Sequence, residues 1–226
     1  ELRNNSTYPI SLNQWTLRVG TTDKLLPAYI VDPGELVVIM DETDTSLFLP
    51  TVKKIGITSF PGLTNGGTNV EILDTGSIVL DAINYDLTWY HDPNRDDGGF
   101  TIERINPLDI CLGSDNWRAS LDFAGGTPGV ENSVFDTTDV PVAIGTFWID
   151  STHLLVVFNQ LMDPSGLILS NFTLQNLTTV TVNSNDSVVL TLSSPLTPNT
   201  AFNLTIAATV ADCEGTTLGS PLITSV

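Results

Sequence analysis

Apolar and polar residues alternate with a period of two along the chain from its start to Ile105. Trp15, Leu17 and Val19 alternate with Thr16 and Arg18, the pattern of a strand with one buried face. Pro33-Gly34 marks a turn before the apolar run Leu36 to Met40. Val70 and Ile72, then Ile78 and Leu80, flank Asp74-Thr75-Gly76-Ser77 and predict a hairpin. A strand is predicted over Thr101 to Ile105, after the Gly98-Gly99 break. From Asn106 to Ser133, Gly, Pro, Asn and Asp accumulate, so a long irregular closing segment is expected. No window of a dozen residues keeps a convincing helical period.

Phe135 to Pro141, FDTTDVP, combines turn formers with a shift in composition and is read as a linker. Strands are predicted beyond it at Phe147 to Ile149, Leu154 to Phe158, Phe172 to Leu174, Val180 to Val182, Val188 to Leu192 and Phe202 to Ile206, in the rhythm of a small Greek-key sandwich. One short helical turn is expected after Asp163-Pro164. The fold class is therefore all-β, with two β-sandwich domains in tandem over residues 1–135 and 136–226.

Charge changes which functions are open. The formal net charge is -18, and no Lys or Arg follows Arg118. Phosphate neutralisation carries most sequence-independent nucleic-acid affinity, so nucleic-acid binding is disfavoured; anionic membrane surfaces repel such a chain and divalent cations are drawn to it. No apolar run reaches the ~18 residues of a membrane span, so membrane insertion is not expected. Cys111 and Cys213 lack the close spacing of a zinc or redox motif. Because disulfide geometry is strict, two separate cysteines are expected, with a cross-domain disulfide as the alternative. The opening ELRNNS reads as the tail of a strand entering a turn, and Glu1 as a truncation or processing point.

Two stretches carry family resemblances. GGFTIERINP (Gly98 to Pro107), Asn116-Trp117 and GGTPGVENS (Gly125 to Ser133), with the opening ELRNNS and ISLNQWTL (Ile10 to Leu17), resemble the bacterial lamin-tail domain. The strand that precedes this opening in the family is absent, so the sandwich is expected to lack an edge or to be completed otherwise. LLVVFNQLMDP (Leu154 to Pro164), Phe172 to Leu174, LSSPLTPNTAFNLTI (Leu192 to Ile206) and ADCEGTTL (Ala211 to Leu218) resemble bacterial Ig-like modules of the S-layer-associated type. Together they imply two Ig-like sandwiches of a modular bacterial protein that is extracellular, on the cell surface or periplasmic. Within the first motif, Gly125-Gly126 and Pro128-Gly129 supply backbone shapes for a tight closing turn, and Trp117 is read as a core plug.

Catalytic machinery is not legible. His91 and His153 are the two histidines, and neither has a visible partner set; no nucleophile elbow, phosphate loop or metalloprotease motif occurs, so no catalytic residue is assigned. The stretch HDPNRDDGGFTIE places Asp92, Asn94 and Asp96 in alternation, with Glu103 at the twelfth place from Asp92, the spacing of a calcium loop. Asp97 stands where that loop requires Gly, and a strand follows instead of a helix, so an acidic structural loop is weighed against a calcium site. Trp89 and Tyr90 are the candidate stacking platform for a glycan or peptide, read here as strand residues with one ring facing inward.

The leading functional expectation is a structural or adhesion module pair that holds flanking domains of a larger protein. A calcium-assisted module binding an extracellular protein or glycan is the alternative. A nucleic-acid-binding lamin-tail module is the third reading, opposed by the acidity.

Overall fold

Strand side chains point alternately to the two faces of a sheet, and both halves of the chain use that geometry to build apolar interiors. A computed structural model describes residues 1–138, 140–197 and 200–225. Residue 139 of the linker stretch, residues 198–199 of the Leu192 to Ile206 stretch and residue 226 lie outside the described residues. The chain divides into one unit of Glu1–Leu108 and Ser114–Thr137 and another of Asp109–Gly113 and Thr138–Val226. The fold is all-β and Ig-like.

The first unit contains β1 (Leu2–Arg3), β2 (Ile10–Ser11), β3 (Thr16–Val19), β4 (Thr22–Leu25), β5 (Ile30–Val31), β6 (Leu36–Asp41), β7 (Lys54–Ile57), β8 (Thr68–Leu73), β9 (Val79–Tyr85), β10 (Ile102–Arg104) and β11 (Trp117–Ala119). A four-stranded sheet runs β4-β3-β8-β9 and a three-stranded sheet β1-β6-β7, with the pairs β2-β5 and β10-β11 beside them. Leu17 and Val19 of β3, Val37 and Ile39 of β6, Ile55 and Ile57 of β7 and Ile72 of β8 join one buried cluster, so the two larger sheets pack face to face. The pairing of β6 with β7 is parallel; the crossover begins with a 3₁₀ turn over Glu42–Leu47, capped by Asp41, whose carboxylate accepts from the Thr43 N–H. The β8-β9 hairpin forms as the turn residues predict, although Ile78 and Leu80 stay exposed.

The closing segment is more ordered than its composition suggests. It contributes β11, antiparallel to β10, and Gly125 adopts φ +87 where a Cβ would lie 2.0 Å from the Gly99 carbonyl oxygen. No side chain fits there.

The second unit contains β12 (Ala143–Trp148), β13 (His153–Phe158), β14 (Phe172–Thr173), β15 (Leu177–Ser184), β16 (Ser187–Leu192), β17 (Asn203–Ile206) and β18 (Leu222–Ser225). Its sheets run β12-β13-β16-β15 and β14-β17-β18. Leu154, Val156 and Phe158 of β13 and Val188, Leu190 and Leu192 of β16 meet Phe172, Leu204 and Ile206 from the opposite sheet. The expected turn after Asp163-Pro164 is a 3₁₀ turn over Pro164–Gly166, with Asp163 accepting from the Ser165 N–H.

The expectation of separate cysteines is corrected. Cys111 and Cys213 form a disulfide, with Cα atoms 5.8 Å apart, and both lie in the second unit. Leu161 brings them together: its N–H donates to the Cys111 carbonyl and its carbonyl accepts from the Cys213 N–H, each at 3.0 Å. Segment Asp109–Gly113 thus joins the second unit, a pairing that linear spacing conceals. The bridge closes a separation of 102 residues, and constraining so long a loop in the unfolded chain is a large effect. Replacing both cysteines by Ser is expected to lower unfolding stability by about 2–5 kcal/mol, measured by urea denaturation of the second unit's transition; an unchanged midpoint would contradict it.

Candidate functional site

Candidate chemistry concentrates in the first unit around β9, β10 and β11. Leu87–Tyr90 forms a 3₁₀ turn and not the expected strand, because the Asp86 carboxylate accepts from the Thr88 N–H and hydroxyl and starts the turn. The backbone bends so that Trp89 and Tyr90 part company. Tyr90 is buried, its hydroxyl donating to the Phe100 carbonyl at 3.3 Å, and burial raises its phenol pKa, helped by the charge of Asp96. Trp89 is half-buried and tilts against Trp117 of β11 at a centroid distance of 5.9 Å. The Arg104 guanidinium lies 5.6 Å over the Trp117 ring. The aromatic group that the structure assembles is therefore Trp89 with Trp117, capped by a cation, and Trp117 is half-buried rather than a deep core plug.

The acidic loop is tied by its own residues. Asp92 accepts from the N–H and the side-chain amide of Asn94 at 2.9 and 3.2 Å, and its other oxygen sits 3.3 Å from Arg95 Nε. Arg95 also donates to the Ser120 carbonyl and stacks 4.9 Å from the Phe100 ring. Asp96 is half-buried.

Glu103 has a different task. It is 4% exposed; one carboxylate oxygen accepts from Thr127 Oγ1 at 2.8 Å, the other from the Ser133 N–H at 2.8 Å and Ser133 Oγ at 2.7 Å. Both donor residues sit inside the Gly125 to Ser133 motif, so Glu103 clamps the closing turn to β10. Asn132 donates to the Arg104 carbonyl, and Asn106 and Asn116 exchange bonds of 2.7 and 2.8 Å between their backbone and side-chain amides. These contacts explain physically why the three motif pieces occur together. Among the described residues Asp92, Asp96 and Glu103 do not bring their oxygens into mutual reach; the cluster that does is Asp109, Cys111 and Glu214, whose sulfur is spent in the disulfide.

The histidines stay apart from this region's carboxylate clamp. His91 ends the 3₁₀ turn in a left-handed conformation, its Nε2 3.4 Å from the Ser114 carbonyl. His153 meets Asp150 at 2.8 Å, and hydrogen bonds from the Thr152 N–H and from His153 lower the Asp150 carboxyl pKa to about 2.

Sequence reasoning missed a cavity of about 1160 Å³ in the first unit, whose walls include Leu36, Val38, Leu80, Ile83, Ile102 and Trp117. Tyr85 lies in the same wall, its hydroxyl donating to the Thr64 carbonyl and its phenol pKa raised by burial. The only advance sign was the run Ile78, Val79, Leu80, apolar at consecutive positions where one face should have been polar.

With Asp92 facing Arg95 and Glu103 facing Thr127 and Ser133, millimolar calcium is expected to leave the melting temperature unchanged. Glu103→Ala, which removes the acceptor of two part-buried hydroxyls and an N–H, should destabilise the first unit by about 1–3 kcal/mol. A calcium-dependent rise in melting temperature that Glu103→Ala abolishes would reverse that assignment.

Residues 134–224 match the model of the bacterial Ig-like domain. Neither curated proteins nor solved structures give a match to the chain. The second half is thus similar to a bacterial Ig-like domain, and the match does not extend to the lamin-tail-like motifs of the first.

Proposed function

We propose that the chain is a pair of non-catalytic sandwich modules from a bacterial protein of the cell surface or its surroundings, serving as spacer and protein-interaction scaffold for flanking domains. The observation that carries this reading is the family match of the second unit, in a sandwich whose interior polar groups serve structure. Asp212 is 1% exposed and accepts from Gln160 at 2.7 Å and from the Glu214 and Thr216 N–H groups. Bacterial Ig-like domains occur in surface and extracellular proteins, and a structural disulfide suits an oxidising compartment. Among the described residues no helix is long and apolar enough to cross a membrane.

The first unit is read as a lamin-tail-like module by its motifs. Its Glu103 clamp and Gly125 turn are accounted for by closure of a sandwich, and the net charge of -18 opposes nucleic acid as its partner.

Purified protein is expected to leave p-nitrophenyl ester, phosphodiester and glycoside substrates at the buffer rate. Turnover that vanishes when one of the chain's own side chains is replaced would contradict the proposal.

A further inference from the structure

Both edges of the second unit's four-stranded sheet are uncharged. The order is β12-β13-β16-β15, every pairing in it is antiparallel, and among the described residues neither β12 nor β15 has a second neighbour. Both strands lie within the stretch that matches the Ig-like domain model. Edge strands ordinarily carry charges, prolines or bulges that discourage further pairing. Here residues 140–149 and 177–185 contain no charged side chain, and the register shifts leave regular windows at residues 145–148 of β12 and 179–182 of β15. Phe147 and Trp148 are 58% and 44% exposed, and Val182 is 38% exposed.

The two windows match each other in direction, backbone and side chains. Four strands in alternating directions leave β12 and β15 running opposite ways, so β15 of a copy in the same orientation lies antiparallel to β12. The Ile149 N–H donates to the His153 carbonyl, and successive residues turn their N–H and C=O groups to opposite sides of a strand. Phe147 therefore faces β13, while Thr146 and Trp148 face outward. At the other edge, Leu192 donates to the Thr152 carbonyl and Ser193 to the Asn176 carbonyl. Thr191 and Val189 accordingly turn toward Thr179 and Thr181, and Val180 and Val182 face outward. Thr146, Trp148, Val180 and Val182 are registered with the buried Val156, Leu154, Leu190 and Val188, whereas Phe147 and Thr181 are registered with Leu155 and Val189 on the other face. One register satisfies every match: Trp148 opposite Val180, Phe147 opposite Thr181 and Thr146 opposite Val182. It sets aromatic rings against β-branched residues, a favourable cross-strand combination.

We propose that a second copy of this chain docks its β15 on β12 and continues the sheet head to tail. Main-chain hydrogen bonds along the joined edges give affinity, and the aromatic and β-branched pairs fix the register. The contact is heterologous, so each added copy presents a fresh edge. A net charge of -18 makes copies repel one another, and salt screens that repulsion, so assembly strengthens as sodium chloride rises. This goes beyond the scaffold reading and does not depend on the module pair acting as a spacer.

The test is sedimentation velocity of the full chain over a range of protein concentrations, at low and at molar sodium chloride. Wild type is expected to form species larger than dimers, in greater share at high salt. Thr146→Pro and Val182→Pro each remove an outward N–H that β13 and β16 do not use, a change tolerated at an edge. Each variant alone should sediment as a monomer, and their equimolar mixture should stop at dimers, because one live edge of each kind remains. Phe147→Lys combined with Thr181→Lys sets like charges opposite each other and should abolish assembly, whereas Phe147→Lys with Thr181→Glu should restore it. That charge pair, read at unchanged melting temperature, decides the matter if a proline variant unfolds early. Wild type that stays monomeric up to millimolar concentration at high salt would overturn the proposal, as would a charge pair without effect. Self-association of Val182→Pro alone would overturn it in favour of a symmetric contact between two β12 strands.

Discussion

Alternation of strand side chains is the constraint from which the rest of the molecule follows. A strand that buries residues i, i+2 and i+4 commits its intervening residues to the other face, and β13 does this with Leu154, Val156 and Phe158 between half-buried neighbours. β16 and β17 supply matching apolar faces, and the short strands of the first unit repeat the arrangement around Val37 and Ile55. With few charges and many small polar residues, this chain has little material for amphipathic helices. Its regular non-strand elements are short 3₁₀ turns started by side-chain caps such as Asp41, Asp86 and Asp163.

Buried carboxylates then act as fasteners. Burial without partners would be expensive, yet Glu103 and Asp212 are each met by three donors from irregular segments that sheets alone could not hold. Glu103 ties down the closing turn of the first unit. Asp212 organises the turn beside Cys213 in the second. Glu103, which a calcium reading would recruit, therefore has structural partners of its own in Thr127 and Ser133.

Strands with strict alternation were legible from residue types: Trp15 to Val19, Leu154 to Phe158 and Val188 to Leu192 stand within a residue of their observed bounds. The Asp163-Pro164 turn was legible from proline's fixed φ. The candidate site was much less so. Spacing could place Glu103 twelve residues into a calcium-like loop, but it could not show that β10 turns this side chain toward Thr127 and Ser133. Trp89 and Tyr90 looked like strand residues until the Asp86 cap bent their backbone. The cysteine pair was hidden because segment Asp109–Gly113 folds with the second unit, a tertiary fact that no local pattern encodes.

Paired substitutions along β13 test the alternating-burial account most directly, because neighbouring leucines there differ in exposure and little else. Leu154, at 0% exposure, should lose about 2–5 kcal/mol of stability on truncation to Ala, while Leu155→Ala should lose clearly less in the same denaturant titration. Equal losses from the two truncations would contradict it.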